Sequence, residues 1–169
     1  DREDTVLIFG AGFIGCIHAE LALMSGSKRV IIADVSGPRL DIAKKLIPEI
    51  GTINVSDTDI KGAITEETGG RGADVIITAN PDGRTHTEAG SLAAKNGRIS
   101  LFGGIPGESR GFLDSNMIHY KELSLFGSHA TTPEHIKTVL SMVKSGKLDL
   151  SKYISGAYPL NNITDAFER

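Results

Sequence analysis

Short unbroken apolar runs alternate along this chain with longer stretches in which apolar or small residues recur at helical spacing. Residues 5–9 predict a buried strand that runs into Gly10-Ala11-Gly12, and residues 13–24 a helix stopped by Gly26. Residues 29–33 predict a second strand closed by Asp34, and 38–47 a second helix that Pro48 helps to end. A weaker third strand over 51–55 is followed by an amphipathic helix over 57–68 and a glycine-rich loop over 69–72. Strands over 74–78 and 98–102 flank a helix over 85–95 with a small-residue face. A turn of helix near Asn116 leads to a sixth strand over 123–126. The helix over 133–144 has Thr132 as N-cap and Pro133 in its first turn, and a last helix starts at Asn161.

Strands that are apolar throughout, rather than at alternate positions, are buried on both faces. Their alternation with helices therefore predicts an α/β fold: a doubly wound parallel sheet with helices on both faces. No linker, repeat or low-complexity segment interrupts the 169 residues, which read as one domain. Composition adds exclusions. A net charge of −3 with no basic cluster argues against nucleic acid as a partner. No apolar stretch approaches the roughly 20 residues of a membrane span, so no membrane partner is expected. The single cysteine, Cys16, leaves no disulfide framework and no multi-cysteine zinc site. It fits a reducing compartment, and a cytoplasmic location is expected. Glycine, at 20 residues, is in excess, and many glycines sit just after the apolar runs.

That placement carries the candidate chemistry. Gly10-x-Gly12-x-x-Gly15 follows a predicted strand and opens a predicted helix. In that context the first glycine permits a tight turn, the second lets backbone approach a pyrophosphate, and the third lets helix and strand pack closely. The helix start, at the amides of Phe13 and Ile14, offers N–H donors to phosphate. Asp34 ends the second strand 19 residues beyond Gly15. There a carboxylate meets the ribose hydroxyls of an adenosine and repels a 2′-phosphate, which selects NAD over NADP. Arg39, five residues on, is placed along the adenine side, while an arginine so near can also serve a 2′-phosphate. The ends of the later strands carry Ala79 and Asn80, then Phe102, Gly103 and Gly104, then Ser128 and Ala130. Small residues there let a planar ring lie close to backbone that can hold a carboxamide. His129 is the one histidine on a strand end, Cys16 reads as a small core residue, and no Tyr-x-x-x-Lys pair is present.

These residues resemble a family. The runs Val6-Leu-Ile-Phe-Gly-Ala-Gly-Phe-Ile-Gly15 and Val30-Ile-Ile-Ala-Asp34 with Arg39 are similar to the coenzyme domain of zinc-dependent medium-chain alcohol/polyol dehydrogenases. So are Thr68-Gly-Gly-Arg-Gly-Ala-Asp-Val75, Gly97-Arg-Ile-Ser-Leu-Phe-Gly-Gly104 and Tyr158-Pro-Leu-Asn-Asn-Ile-Thr-Asp-Ala-Phe167, with the sorbitol/threonine dehydrogenase-like branch nearest. The resemblance covers essentially the whole chain. It implies a six-stranded Rossmann sheet, NAD(H), and hydride transfer between a secondary alcohol (a polyol, sugar or amino alcohol) and nicotinamide. It also implies a homodimer through the sixth-strand edge, formed here by Leu123, Ser124, Leu125 and Phe126. Zinc and the alcohol substrate belong, by the same resemblance, to a separate catalytic domain that this chain lacks. The chain is therefore expected to be a fragment of a longer enzyme and inactive alone. A stand-alone nucleotide-sensing module, or a fold that binds S-adenosylmethionine, would share the glycine turn and the acidic strand end.

Overall fold

The computed structural model describes residues 3–107 and 111–168. The chain divides into two compact units, Asp1–His129 and Ala130–Arg169. The first holds six strands and five helices: β1 (Thr5–Phe9), α1 (Phe13–Met24), β2 (Arg29–Asp34), α2 (Gly37–Leu46), β3 (Gly51–Asn54), α3 (Ile60–Glu67), β4 (Ala73–Thr78), α4 (Gly83–Leu92), β5 (Ala93–Leu101), α5 (Ser115–Lys121) and β6 (Ser124–Gly127). The second unit holds α6 (Pro133–Lys144), two short 3₁₀ turns and α7 (Ile163–Phe167). No helix among the described residues is long and apolar enough to cross a membrane.

Every strand pair is parallel, in the order β3-β2-β1-β4-β5-β6. Parallel neighbours require crossovers, and the order reverses between β1 and β4. The continuous apolar strands are buried on both faces, as their sequence demands. Leu7, Phe9, Ile31 and Ala33 form one core with Ile60 and Ile64 of α3 and Ala89 and Leu92 of α4. Their alternate neighbours Val6, Ile8, Val30 and Ile32 are equally buried and, with the side-chain period of two, face the other way. On that side Gly15 of α1 lies against Ile8, and Cys16 is buried as expected.

Among the boundaries that differ from the sequence expectation are the start of the third helix and both ends of the fourth. The third helix begins at Ile60 rather than near 57, because Asp59 caps it by accepting from the N–H groups of Lys61 (3.2 Å) and Gly62 (3.0 Å). The fourth begins at Gly83, capped by Asp82. It ends at Leu92 rather than at Lys95, where the chain is already in β5. The pairing of β4 with β5 explains the overrun. Ala73 pairs with Ala93 and Val75 with Arg98, so Asp74 alone stands opposite the four residues 94–97. This bulge needs Asn96 at φ 61°. It also needs Gly97, whose added Cβ would lie 2.8 Å from the Ala94 carbonyl oxygen.

Lys121, at the end of α5, closes the other end of α4. Its Nζ donates to the carbonyl oxygens of Gly90 (3.1 Å), Ser91 (3.0 Å) and Ala93 (2.8 Å), acceptors that a helix C-terminus leaves open. Burial lowers the pKa of this ammonium, and the like charge of Lys61 lowers it further. Replacing Lys121 with Met is expected to cost about 1–3 kcal/mol in urea unfolding, because carbonyls partnered by a charged donor are left bare. Lys61→Met, at an exposed position without such bonds, is expected to stay within about 0.5 kcal/mol.

The turn from β1 into α1 sets a second steric test. A Cβ on Gly15 would collide with the Gly10 carbonyl oxygen, whereas one on Gly12 would meet nothing within 4 Å. Gly15→Ala is therefore expected to destabilise the fold by about 2 kcal/mol or more, and Gly12→Ala by no more than about 0.5 kcal/mol, in the same assay.

Candidate functional site

The carboxyl ends of β1, β2, β4 and β5 meet where the strand order reverses. Gly10 sits at φ 108° and would, with a Cβ, reach the Ala79 carbonyl oxygen at 2.9 Å. Its N–H donates to the Ala33 carbonyl (2.8 Å), Ala79 N–H to Phe9 (2.8 Å), and Gly103 N–H to Thr78 (2.6 Å). A Cβ on Gly103 would strike the Asn80 backbone. The glycines at 10 and 103 thus bring four strand ends into backbone contact, which no larger residue would allow. Asn80 turns its side chain toward α4, where Oδ1 accepts from Thr85 Oγ1 at 2.8 Å.

Asp34 does more than end its strand. Its Oδ2 accepts from the Ala11 N–H at 2.7 Å and its Oδ1 from the Ser36 N–H at 2.8 Å. The carboxylate therefore holds the glycine turn against the end of β2 while remaining half-buried at the mouth of a cavity. Each oxygen keeps a further acceptor position. The helix that this turn starts has no side-chain cap on Gly12 and no acid in its first turn. By contrast, α3, α4 and α5 are each capped by an aspartate. The positive end of α1 is left for something else to balance.

The cavity beside Asp34 measures about 470 Å³ and is lined in part by Phe9, Asp34, Val35, Arg39, Asn80 and Arg84. Asp59, Asp82 and Glu88 also line it. Sequence reasoning missed Asp59, Asp82, Arg84 and Glu88, although Asp82 and Arg84 follow the end of β4 by the same rule that singled out Asn80. Arg84 pairs with Asp82 (2.7 Å) and holds its carboxyl below the usual carboxylate range. Burial, and then the Asp59 charge, pushes the carboxyl of Glu88 up. Four carboxylates against two guanidiniums give the cavity an acidic character.

Phe102 closes the end of β5, and its ring meets His18 of α1 edge-on at 4.5 Å between centroids. Phe13 and Ile14 are exposed on the first turn of α1, and Gly104 has open space around it. Ser128 follows β6 and is exposed, whereas Ala130, at φ 60°, belongs to the second unit. His129 touches none of these residues in any described contact, and the histidine that does meet the site, His18, gave no sequence signal beyond its helical position. His86 is buried, and its Nε2 has no hydrogen-bond partner among the described residues.

Burial lowers the pKa of both His18 and His86, against the opposing pull of the Gly103 carbonyl and Asp82 on His86. Both are neutral in the fold at pH 7, and unfolding lets them regain a proton sooner. Stability is therefore full above about pH 6.5 and is lost as pH falls through the lowered values. Urea midpoints are expected to drop between pH 7.5 and 5.5, and less steeply in a His18→Gln, His86→Met double variant.

No group of three or more His, Cys, Asp or Glu among the described residues could hold a metal ion, so the residues present do not fit a zinc site. The family model described as zinc-binding dehydrogenase matches residues 14–145. L-threonine 3-dehydrogenase of Anaeromyxobacter dehalogenans is 28% identical over 98% of this chain and 47% of its own length. A putative D-xylulose reductase of Rhizobium meliloti is 32% identical over the same shares. An alcohol dehydrogenase of E. coli CFT073, solved with NADH, superposes with a TM-score of 0.88 at 29% identity, over 99% of this chain and 48% of the other. The chain spans about half the length of the curated relatives it matches. On its sequence and its sheet, the chain belongs to the zinc-binding dehydrogenase family.

Proposed function

We propose that this chain is the NAD(H)-binding domain of a zinc-dependent alcohol or polyol dehydrogenase, both of its compact units included. The observation that carries the reading is the junction of Gly10, Gly12 and Asp34. An uncapped helix start, a glycine with open space and a ribose-height carboxylate converge at the one place where the strand order reverses. The family match and the NADH-bound neighbour support it. Gly12 and the first-turn amides of Phe13, Ile14 and Gly15 would receive the pyrophosphate, and Asp34 the ribose hydroxyls. Arg39 would lie along the adenine. Asn80, Ala79, Phe102, Gly103, Gly104 and Ser128 would form the nicotinamide end. Nicotinamide, when bound, supplies the acceptor for a hydride from a secondary alcohol. This chain's residues would bind and orient it, with Phe102 at the nicotinamide end.

The zinc and the substrate contacts would come from sequence outside this chain, which alone would bind coenzyme without catalysis. A second copy is proposed to pair along β6, the outermost strand of the sheet, where Phe126 is exposed. A cytoplasmic setting suits the single buried cysteine.

Calorimetric titration tests the coenzyme assignment. NADH is expected to bind at least about tenfold more tightly than NADPH, as a 2′-phosphate beside Asp34 and three further carboxylates is repelled. Asp34→Ala disturbs the Ala11 turn as well, and that loss falls on both coenzymes alike. The informative quantity is their ratio, which is expected to collapse toward one. Equal affinity of the unaltered chain for both would remove Asp34 from the selecting role.

A further inference from the structure

The amino edge of the sheet, away from the glycine turn, has a cavity of its own. The loop at Gly70–Gly72, α3, the end of α4 with the start of β5, and the end of α5 enclose about 340 Å³, within the range of small-ligand sites. Lys61, Arg71, Lys95 and Lys121 line it together with Tyr120, and no carboxylate residue is among its lining. In a chain of net charge −3, such a cavity is charged against the background.

Balancing of helix ends accounts for only part of this. Lys121 spends its three N–H donors on the carbonyls that end α4. Lys61 does the opposite: it sits in the first turn of α3, the end of a helix where a cation is unfavourable. It is exposed and has no ion-pair partner among the described residues, and its charge already presses on Lys121. Arg71 meets the part-buried Asp74 at 3.5 Å with its own guanidinium exposed, and Lys95 meets Glu122 at 4.0 Å in an exposed pair, so both cations stay open to solvent in long pairs that contribute little. The loop backbone offers nothing further. Gly69, Gly70 and Arg71 donate to the carbonyls of Glu66, Thr65 and Thr68, and Gly72 donates to Thr68 Oγ1.

We infer that this cavity binds a small multiply charged phosphoryl anion, held by Lys61, Arg71, Lys95 and the Tyr120 hydroxyl, with Lys121 contributing charge from behind. With no backbone cradle, recognition rests on side-chain charge. It selects by the number of negative charges rather than by shape, and it weakens as salt rises. The two cavities share no lining residue, although Lys61 follows Asp59 and Ile60, which line the one beside Asp34.

Pyrophosphate added to the isotope-labelled chain at low ionic strength, followed through backbone amide resonances, provides the test. Saturable shifts at Gly70, Arg71, Gly72 and Lys95 are expected, with inorganic phosphate binding more weakly. A Lys61→Gln, Lys95→Gln double variant, whose dispersed spectrum shows that it folds, is expected to bind pyrophosphate about tenfold more weakly. Shifts confined to the Gly10–Gly15 turn would overturn the inference. So would non-saturating shifts at every exposed lysine, or saturable shifts unchanged in the double variant.

Discussion

The close approach of α1 to the end of β1 is the constraint on which the rest of the structure depends. Where Gly15 passes the Gly10 carbonyl there is no room for a single methyl group. That contact lets α1 start directly off the sheet and brings its uncapped first turn to the point where the strand order reverses. Asp34 then fixes the turn from the side by accepting the Ala11 N–H. The carboxylate that could receive a ribose is thus also a structural tie. Geometry of the turn and chemistry of the cleft share one side chain, so neither is independently adjustable.

The two edges of the sheet differ in electrostatic character. The carboxyl edge combines the positive end of α1 with an acidic cavity around Asp34, Asp59, Asp82 and Glu88. The amino edge gathers lysines and an arginine around helix ends. Parallel βα topology enforces part of this division, because helix N-termini collect at one edge of the sheet and C-termini at the other. Lys61 is the exception that topology does not account for, since it stands at the start of its helix.

Much of this was legible in the residues. Continuous apolar runs such as Val6–Phe9 and Val30–Ala33 could only be buried strands, and the glycine spacing after the first of them located the turn. The boundary missed by the widest margin was set by a partner distant in sequence. The helix at 85–95 reads as unbroken because Ala93, Ala94 and Lys95 are good helix formers. Pairing with Ala73 across the sheet pulls them into a strand instead. Nothing in the sequence singles out Lys121 as a helix-end donor, and only the fold brings it to the end of α4. The lining carboxylates of the cleft escaped for a related reason: Asp59 lay inside the expected third helix, nothing in the sequence marked Asp82 as a cap, and burial of Glu88 is a property of the packed cleft alone.

The bulge at 94–97 bears on how such a chain can change length over evolutionary time. Ladder pairing resumes at Val75 with Arg98 whatever loops out between, so residues gained or lost there leave Ile99, Ser100 and the approach to Phe102 in place. Lys95 rides on that bulge. Changes in the bulge that keep its backbone course can therefore remodel the basic edge of the sheet, while the register that delivers Phe102 and Gly103 to the opposite edge stays in place.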